Sequence, residues 1–197
     1  VNKILIATAN PGKQQEYQSY LEQFEYQLVT LDDFKIKHEP EETGADYVAN
    51  ARIKAEFYGK RTALTAVADD TGLEVKALPG KLGVTTKRYA QATKKKGYQR
   101  LLEELDGVPE HERTAEFITV IALYQPELGV KELFKGSCRG RIASQARGEK
   151  GFGYDPVFIP EGEEKTFAEL SLEKKLVYSS RGNALKKLVK YLGAHEL

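Results

Sequence analysis

With 197 residues, 30 lysines and arginines against 29 aspartates and glutamates, and a net charge of +1, the chain can build a substantial core but carries no overall basic field. That balance argues against a nucleic-acid binder or a protein held on anionic membrane, so any anion site must be local. The single cysteine, Cys138, excludes an internal disulfide and a cysteine metal cage, and it reads as a small buried residue.

No apolar run approaches the roughly 20 residues of a membrane span. Val1-Asn2-Lys3-Ile4-Leu5-Ile6 enters a strand directly, without the pattern of a signal peptide, and the expectation is a cytosolic protein. The absence of methionine, even at position 1, suggests that an initiator was trimmed. No repeat, low-complexity tract or linker divides the chain, and Lys94-Lys95-Lys96 reads as a short solvated loop. One folding unit over residues 1–197 is expected.

Ile4 to Ala7 reads as the first strand. Thr8-Ala9-Asn10-Pro11-Gly12-Lys13 then leads into a helix with Tyr17, Tyr20, Leu21 and Phe24 on one face. A loop that opens a helix aims backbone N–H groups and the positive dipole end forward, and Lys13 adds a full charge, so the alternatives are a phosphate loop and an ordinary helix start. It is not a Walker A loop, which would need glycine at position 7 and a hydroxyl at 14 where the chain has Ala7 and Gln14.

A second strand spans Gln27 to Thr30, and the acidic segment Glu39-Pro40-Glu41-Glu42-Thr43-Gly44 precedes a helix from about Ala45 to Tyr58. Thr43 is placed as its N-cap with Asp46 three residues on, and Asn50 and Lys54 share a face at i and i+4. Lys54 reads either as a solvated lysine or as a phosphate ligand. Glu41 and Glu42 read either as first-turn acids or as functional groups.

Val67-Ala68-Asp69-Asp70-Thr71-Gly72-Leu73-Glu74-Val75 is the stretch on which the rest depends. A run suited to a doubly buried strand breaks into two adjacent carboxylates and resumes with alternation, so Asp69 to Gly72 is expected as a tight turn at a strand end. Two crowded acids at a buried edge repel each other, and a bound cation or a raised pKa is the usual compensation; the plain alternative is an Asp-rich turn.

Pro79 to Lys96 reads as a basic loop with lid character, and Gly97 to Leu105 as a short helix. Ala115 to Tyr124 and Leu133 to Ile142 read as strands joined by a hairpin at Gln125-Pro126-Glu127-Leu128-Gly129, which makes the sheet mixed. In Gly148-Glu149-Lys150-Gly151-Phe152-Gly153-Tyr154-Asp155-Pro156 the glycines let a flat group lie close to backbone and the aromatics can stack on it, ahead of a strand at Val157-Phe158-Ile159. Lys174, Lys175 and Ser179-Ser180-Arg181-Gly182 precede a last helix carrying Leu185, Leu188, Val189 and Leu192. An arginine at a helix N-terminus runs against the dipole, which suggests that Arg181 faces a ligand. His38, His111 and His195 lack metal spacing and are expected at the surface.

Taken together, these motifs resemble the inosine triphosphate pyrophosphatase (Ham1/RdgB-like) family. The resemblance rests on Thr-x-Asn-x-x-Lys at Thr8 to Lys13, Glu-Thr-Gly at Glu42 to Gly44, Asn-Ala-x-x-Lys-Ala at Asn50 to Ala55, Ala-Asp-Asp-[Ser/Thr]-Gly-Leu at Ala68 to Leu73, and Gly-Phe-Gly-Tyr-Asp-Pro at Gly151 to Pro156. It implies an elongated two-lobed α/β fold with a central twisted mixed sheet, a nucleotide cleft between the lobes, and a homodimer. The implied activity is Mg2+-dependent hydrolysis of non-standard purine nucleoside triphosphates such as ITP, dITP and XTP to the monophosphate and pyrophosphate.

By the same resemblance Glu42, Asp69 and Asp70 hold the metal, and Asp70, Lys13 and Lys54 are catalytic. Thr8, Asn10, Lys13, Lys54, Thr71, Phe152, Gly153, Tyr154, Asp155, Lys175, Ser180 and Arg181 bind substrate. The chain departs from the family at Ser180, where the family has histidine, and at Lys81 to Tyr89, which replaces Pro-Gly-[Val/Ile]-x-Ser-Ala-Arg-Tyr. The altered residues lie on the base side, so base selectivity is more open than hydrolysis. The competing reading is a catalytically silent nucleotide-binding relative that kept the site and changed its use.

Overall fold

The computed structural model describes residues 2–92 and 95–195; Val1 and Lys94, which figure in the readings above, lie outside them. In chain order the strands are β1 (Lys3–Ile6), β2 (Gln27–Thr30), β3 (Thr65–Val75), β4 (Thr114–Gln125), β5 (Gly129–Ile142) and β6 (Phe158–Pro160). The helices are α1 (Pro11–Leu21), α2 (Tyr47–Thr62), α3 (Thr86–Gln91), α4 (Gly97–Glu104), α5 (Leu172–Tyr178) and α6 (Ser180–Leu192). The strands form one sheet in the order β2-β1-β3-β4-β5-β6. β1 runs parallel to β2 and β3, with Ile4 opposite Thr65 and Ile6 opposite Val67, while β5 and β6 are antiparallel, so the sheet is mixed as expected. Only residues 126–128 join β4 to β5, which is far too short for a parallel crossover and long enough for a hairpin.

The chain gathers into two compact units. The first comprises the chain up to Asp70, Thr119–Gly136 and the chain from Asn183 onward; the second comprises Thr71–Ile118 and Ser137–Gly182. Their boundaries fall inside β3, β4, β5 and α6, so no change of composition marks them.

In the first unit the strand period of two divides the core in two. Ile4, Ile6 and Val67 pack with Tyr17 and Leu21 of α1 and with Leu185, Leu188 and Leu192 of α6. Leu5, Ala66 and Ala68 face the other way and pack with Ala51, Ala55 and Tyr58 of α2. In the second unit Leu73, Val75, Tyr89, Leu101, Leu105, Tyr154 and Val157 share a core with Phe158 and Phe167, whose ring centroids lie 5.1 Å apart.

Three local expectations are corrected. Asp69 to Gly72 is not a turn: β3 continues through it to Val75. The N-cap of α2 is Asp46 rather than Thr43, and its carboxylate accepts the Ala49 N–H at 2.8 Å. Within the segment expected as loop, Thr86–Gln91 forms α3, and Thr86 Oγ1 accepts the Leu73 N–H at 3.0 Å. The three histidines are exposed, and no helix among the described residues is long and apolar enough to cross a membrane.

Candidate active site

The carboxylates of Asp69 and Asp70, neighbours on a continuous strand, project from opposite faces of β3. Asp69 shares its face with Val67 and meets α1. Lys13 Nζ donates to its Oδ2 at 2.7 Å, and the Tyr17 hydroxyl lies 3.5 Å from its Oδ1. The Asp69 side chain is 1% exposed against 19% for Lys13, so the charge that remains within reach of solvent is the ammonium.

Lys13 owes its place to the start of α1. Asn10 caps that helix, its Oδ1 accepting the Gly12 N–H at 2.9 Å and the Lys13 N–H at 3.2 Å, with Pro11 at the first helical position. Thr8 Oγ1 accepts the Asn10 N–H at 3.2 Å, and Gln14 Nε2 donates to the Thr8 carbonyl at 2.9 Å. These bonds show the helix-capping half of the two readings of this loop. The Gly12 and Lys13 amides turn inward to Asn10, so Thr8 and Asn10 build the loop and the Lys13 side chain carries its positive charge.

On the other face Asp70 meets α2. Lys54 Nζ donates to Asp70 Oδ1 at 2.7 Å and to Glu42 Oε1 at 3.2 Å, while Asn50 Nδ2 lies 3.4 Å from Asp70 Oδ2. Asn50 Oδ1 also accepts the Gly44 N–H at 2.8 Å, which ties the acidic segment to the helix. A side chain at residue 44 would collide with that carboxamide, and this accounts for the glycine. Burial pulls the Lys54 ammonium towards neutrality, but the Asp70, Asp69 and Glu42 charges outweigh it and hold its pKa above the ordinary lysine value.

The three carboxylates expected around one metal are therefore not brought together. Among the described residues no group of three or more histidine, cysteine or carboxylate side chains converges on a point. Glu42 and Asp70 do converge, on the Lys54 ammonium. Two hard oxygen donors facing one positive charge suit a divalent cation of the magnesium type, which takes one or two carboxylates and completes its shell with water and phosphate oxygens. Asp69, on the far face, does not fit that set.

The second unit holds the other expected residues. Asp155 Oδ2 accepts the Phe152 N–H at 2.8 Å and the Lys175 Nζ at 2.6 Å, and both charged side chains are buried. Lys175 Nζ stands 4.4 Å from the centroid of the Phe152 ring and Arg181 Cζ 5.8 Å from it, so cations flank the one partly exposed aromatic of the motif. Gly151 has φ +74° and sits where a Cβ would collide with the Asp155 carboxylate, a double requirement for glycine. Gly153, at φ +61°, is exposed.

Tyr154 is placed differently from Phe152. Its ring lies in the core of the second unit, and burial pushes its hydroxyl well above the ordinary tyrosine range, so it packs the motif from behind. Ser180 is buried as the first residue of α6, and it is Ser179 whose hydroxyl accepts the Gly182 N–H at 3.0 Å, as a cap does. Arg181 is buried at 5% exposure, and its Nη2 donates to Thr71 Oγ1 at 3.1 Å. Sequence reasoning passed over two supports: Tyr17, taken only as apolar, and Asn50, whose place in Asn-Ala-x-x-Lys-Ala was the available signal.

Fold and site define a mixed-sheet α/β protein with paired lysines and carboxylates on both faces of a central strand. The chain matches the Ham1 family over residues 4–191. The dITP/XTP pyrophosphatase of Thermus thermophilus is 44% identical over 188 residues, covering 95% of this chain and 90% of that protein. That of Vibrio parahaemolyticus is 40% identical over 197 residues, covering 98% of each. Among solved structures, a HAM1 protein from Coxiella burnetii superposes with a TM-score of 0.86 at 37% identity, covering 99% of this chain and 100% of that one. The chain belongs to the Ham1 family.

Proposed function

We infer that the protein is a nucleoside triphosphate pyrophosphatase. It hydrolyses non-standard purine nucleotides such as ITP, dITP and XTP between the α and β phosphates, releasing the monophosphate and pyrophosphate. The observation that carries this reading is the lysine–carboxylate arrangement on β3, in a chain about 40% identical over nearly its whole length to proteins named dITP/XTP pyrophosphatase.

Glu42 and Asp70 would hold Mg2+, which when bound polarises the phosphate and offsets its charge. Asp70 orients or deprotonates the attacking water, a role that suits a carboxylate fixed through both oxygens by Lys54 and Asn50. Lys54 and Lys13 neutralise the triphosphate, with Thr8 and Asn10 setting the position of Lys13. Asp69 holds Lys13 in place rather than taking the metal. Phe152, Gly153, Asp155, Lys175 and Ser180 bound the base and sugar, and Arg181, steadied by Thr71, donates to a 6-keto oxygen that adenine lacks. A cytosolic homodimer is part of the same reading, supported by family membership.

The test is pyrophosphate release across ITP, XTP, dITP, GTP, ATP, UTP and dTTP with Mg2+. Wild-type protein is expected to favour the 6-keto purines, and Asp70→Asn to lose about two to three orders of magnitude in rate. Absence of pyrophosphate from every substrate would move the chain to the silent-binder reading.

A further inference from the structure

Around β3 in the first unit three carboxylates, Glu42, Asp69 and Asp70, face the ammoniums of Lys13 and Lys54. Each oxygen of the two aspartates has a neighbour: Lys13 and Tyr17 for Asp69, Lys54 and Asn50 for Asp70. The point on which Glu42 Oε1 and Asp70 Oδ1 converge, where a divalent cation would sit, is held by Lys54 Nζ at 3.2 and 2.7 Å.

We propose that Lys54 is a placeholder cation, which keeps free metal off Glu42 and Asp70 until a triphosphate draws its ammonium away. The inference rests on the pyrophosphatase reading and adds an order of events to it. A metal approaching the free protein must displace a charge-assisted hydrogen bond and meets a repelling ammonium within about 4 Å. A nucleotide supplies the remedy, because its phosphate oxygens give Lys54 a new anionic partner and give the cation further hard ligands. The four-carbon stem of lysine lets the ammonium move between the two without any change in the strand. Metal and nucleotide therefore enter together, and the free protein does not hold the ion in advance.

The experiment is a calorimetric titration with Mn2+ alone, repeated by electron paramagnetic resonance, on wild-type protein, Lys54→Met and Lys54→Gln, each checked for folding by circular dichroism. Wild-type protein is expected to show no saturable site below about 1 mM, and both variants to bind at least about tenfold more tightly. Adding Asp70→Asn to Lys54→Met should abolish the gained site. Wild-type binding as tight as that of either folded variant overturns the proposal, as does a failure of both folded variants to gain affinity. If neither variant folds, the wild-type titration still decides it, since a saturable Mn2+ site well below 1 mM overturns it alone. Failure of the pyrophosphatase reading is seen separately, as absence of pyrophosphate release, which the titration does not measure.

Discussion

Arg181 Nη2 donates to Thr71 Oγ1 across 3.1 Å, and Thr71 is the residue that follows Asp70 along β3. One hydroxyl thus steadies the guanidinium assigned to the base, one peptide bond from the carboxylate assigned to the reaction. In Thr71→Val the isosteric side chain removes an acceptor from a buried donor, at a cost of about 1 to 3 kcal/mol, or roughly ten- to a hundredfold. The expected outcome is a loss of that size in kcat/KM for ITP, with Thr71→Ser close to wild type. Equal pyrophosphate release by Thr71→Val and wild type would show that the hydroxyl does not orient Arg181.

Lys13 is expected to act on stability as well as turnover, because its removal takes the 2.7 Å ammonium partner from the buried Asp69 carboxylate. Breaking a buried pair from one side costs about 3 kcal/mol. Lys13→Ala should therefore lower Tm and slow every substrate alike, leaving the ratio of ITP to ATP rates unchanged. Lys13→Ala with Asp69→Asn should regain much of the stability but none of the activity. A reordered substrate profile in Lys13→Ala would count against its role as a phosphate contact.

The two serines before Arg181 are expected to separate. Ser179→Ala removes the cap on the Gly182 N–H and should cost about 1 kcal/mol in thermal or urea unfolding, with base preference untouched. Ser180→His places an imidazole next to Arg181 in sequence and should raise the ITP-to-ATP ratio of kcat/KM by roughly ten- to a hundredfold. An unchanged ratio would leave base reading to Arg181 alone.

Cys138 supplies a pH test. Burial, reinforced by the nearby Glu116 and Glu161 charges, pushes its thiol up to about 12. Because the folded value lies above the unfolded one, the contribution of this group to stability is complete below the ordinary thiol range and is lost as pH rises towards 12. Iodoacetamide at pH 8.5 should label Cys138 only as urea unfolds the chain. Rapid labelling of the native protein would show that the thiol is open to solvent.

The parts of this molecule that were legible in the sequence are those fixed locally. β2 lies where its apolar residues place it, and Asn10, Pro11 and Lys13 mark the start of α1 as capping chemistry requires. The parts that were not legible depend on distant partners. Asp69-Asp70-Thr71-Gly72 has the composition of a turn. It remains strand because Lys13 and Lys54, 56 and 16 residues away, neutralise the acids, and because Thr86 takes up the Leu73 amide. Tyr154 looked like a stacking residue beside Phe152, but only the packing of the second unit shows that one ring faces inward.

The alternation along β3 has a consequence for how the chain tolerates change. Asp69 meets α1 and Asp70 meets α2 by parity alone, since the pairing of Ile4 with Thr65 fixes which odd and even residues face which helix. Lengthening the strand by one residue ahead of Asp69 would hand each acid to the wrong lysine while leaving the composition almost untouched. Lengthening it by two would restore the face of each acid but carry it about 6.6 Å along the strand, past its lysine. The Asp-Asp pair behaves like a reading frame, and single-residue insertions or deletions in this strand act as frameshifts of chemistry rather than of translation.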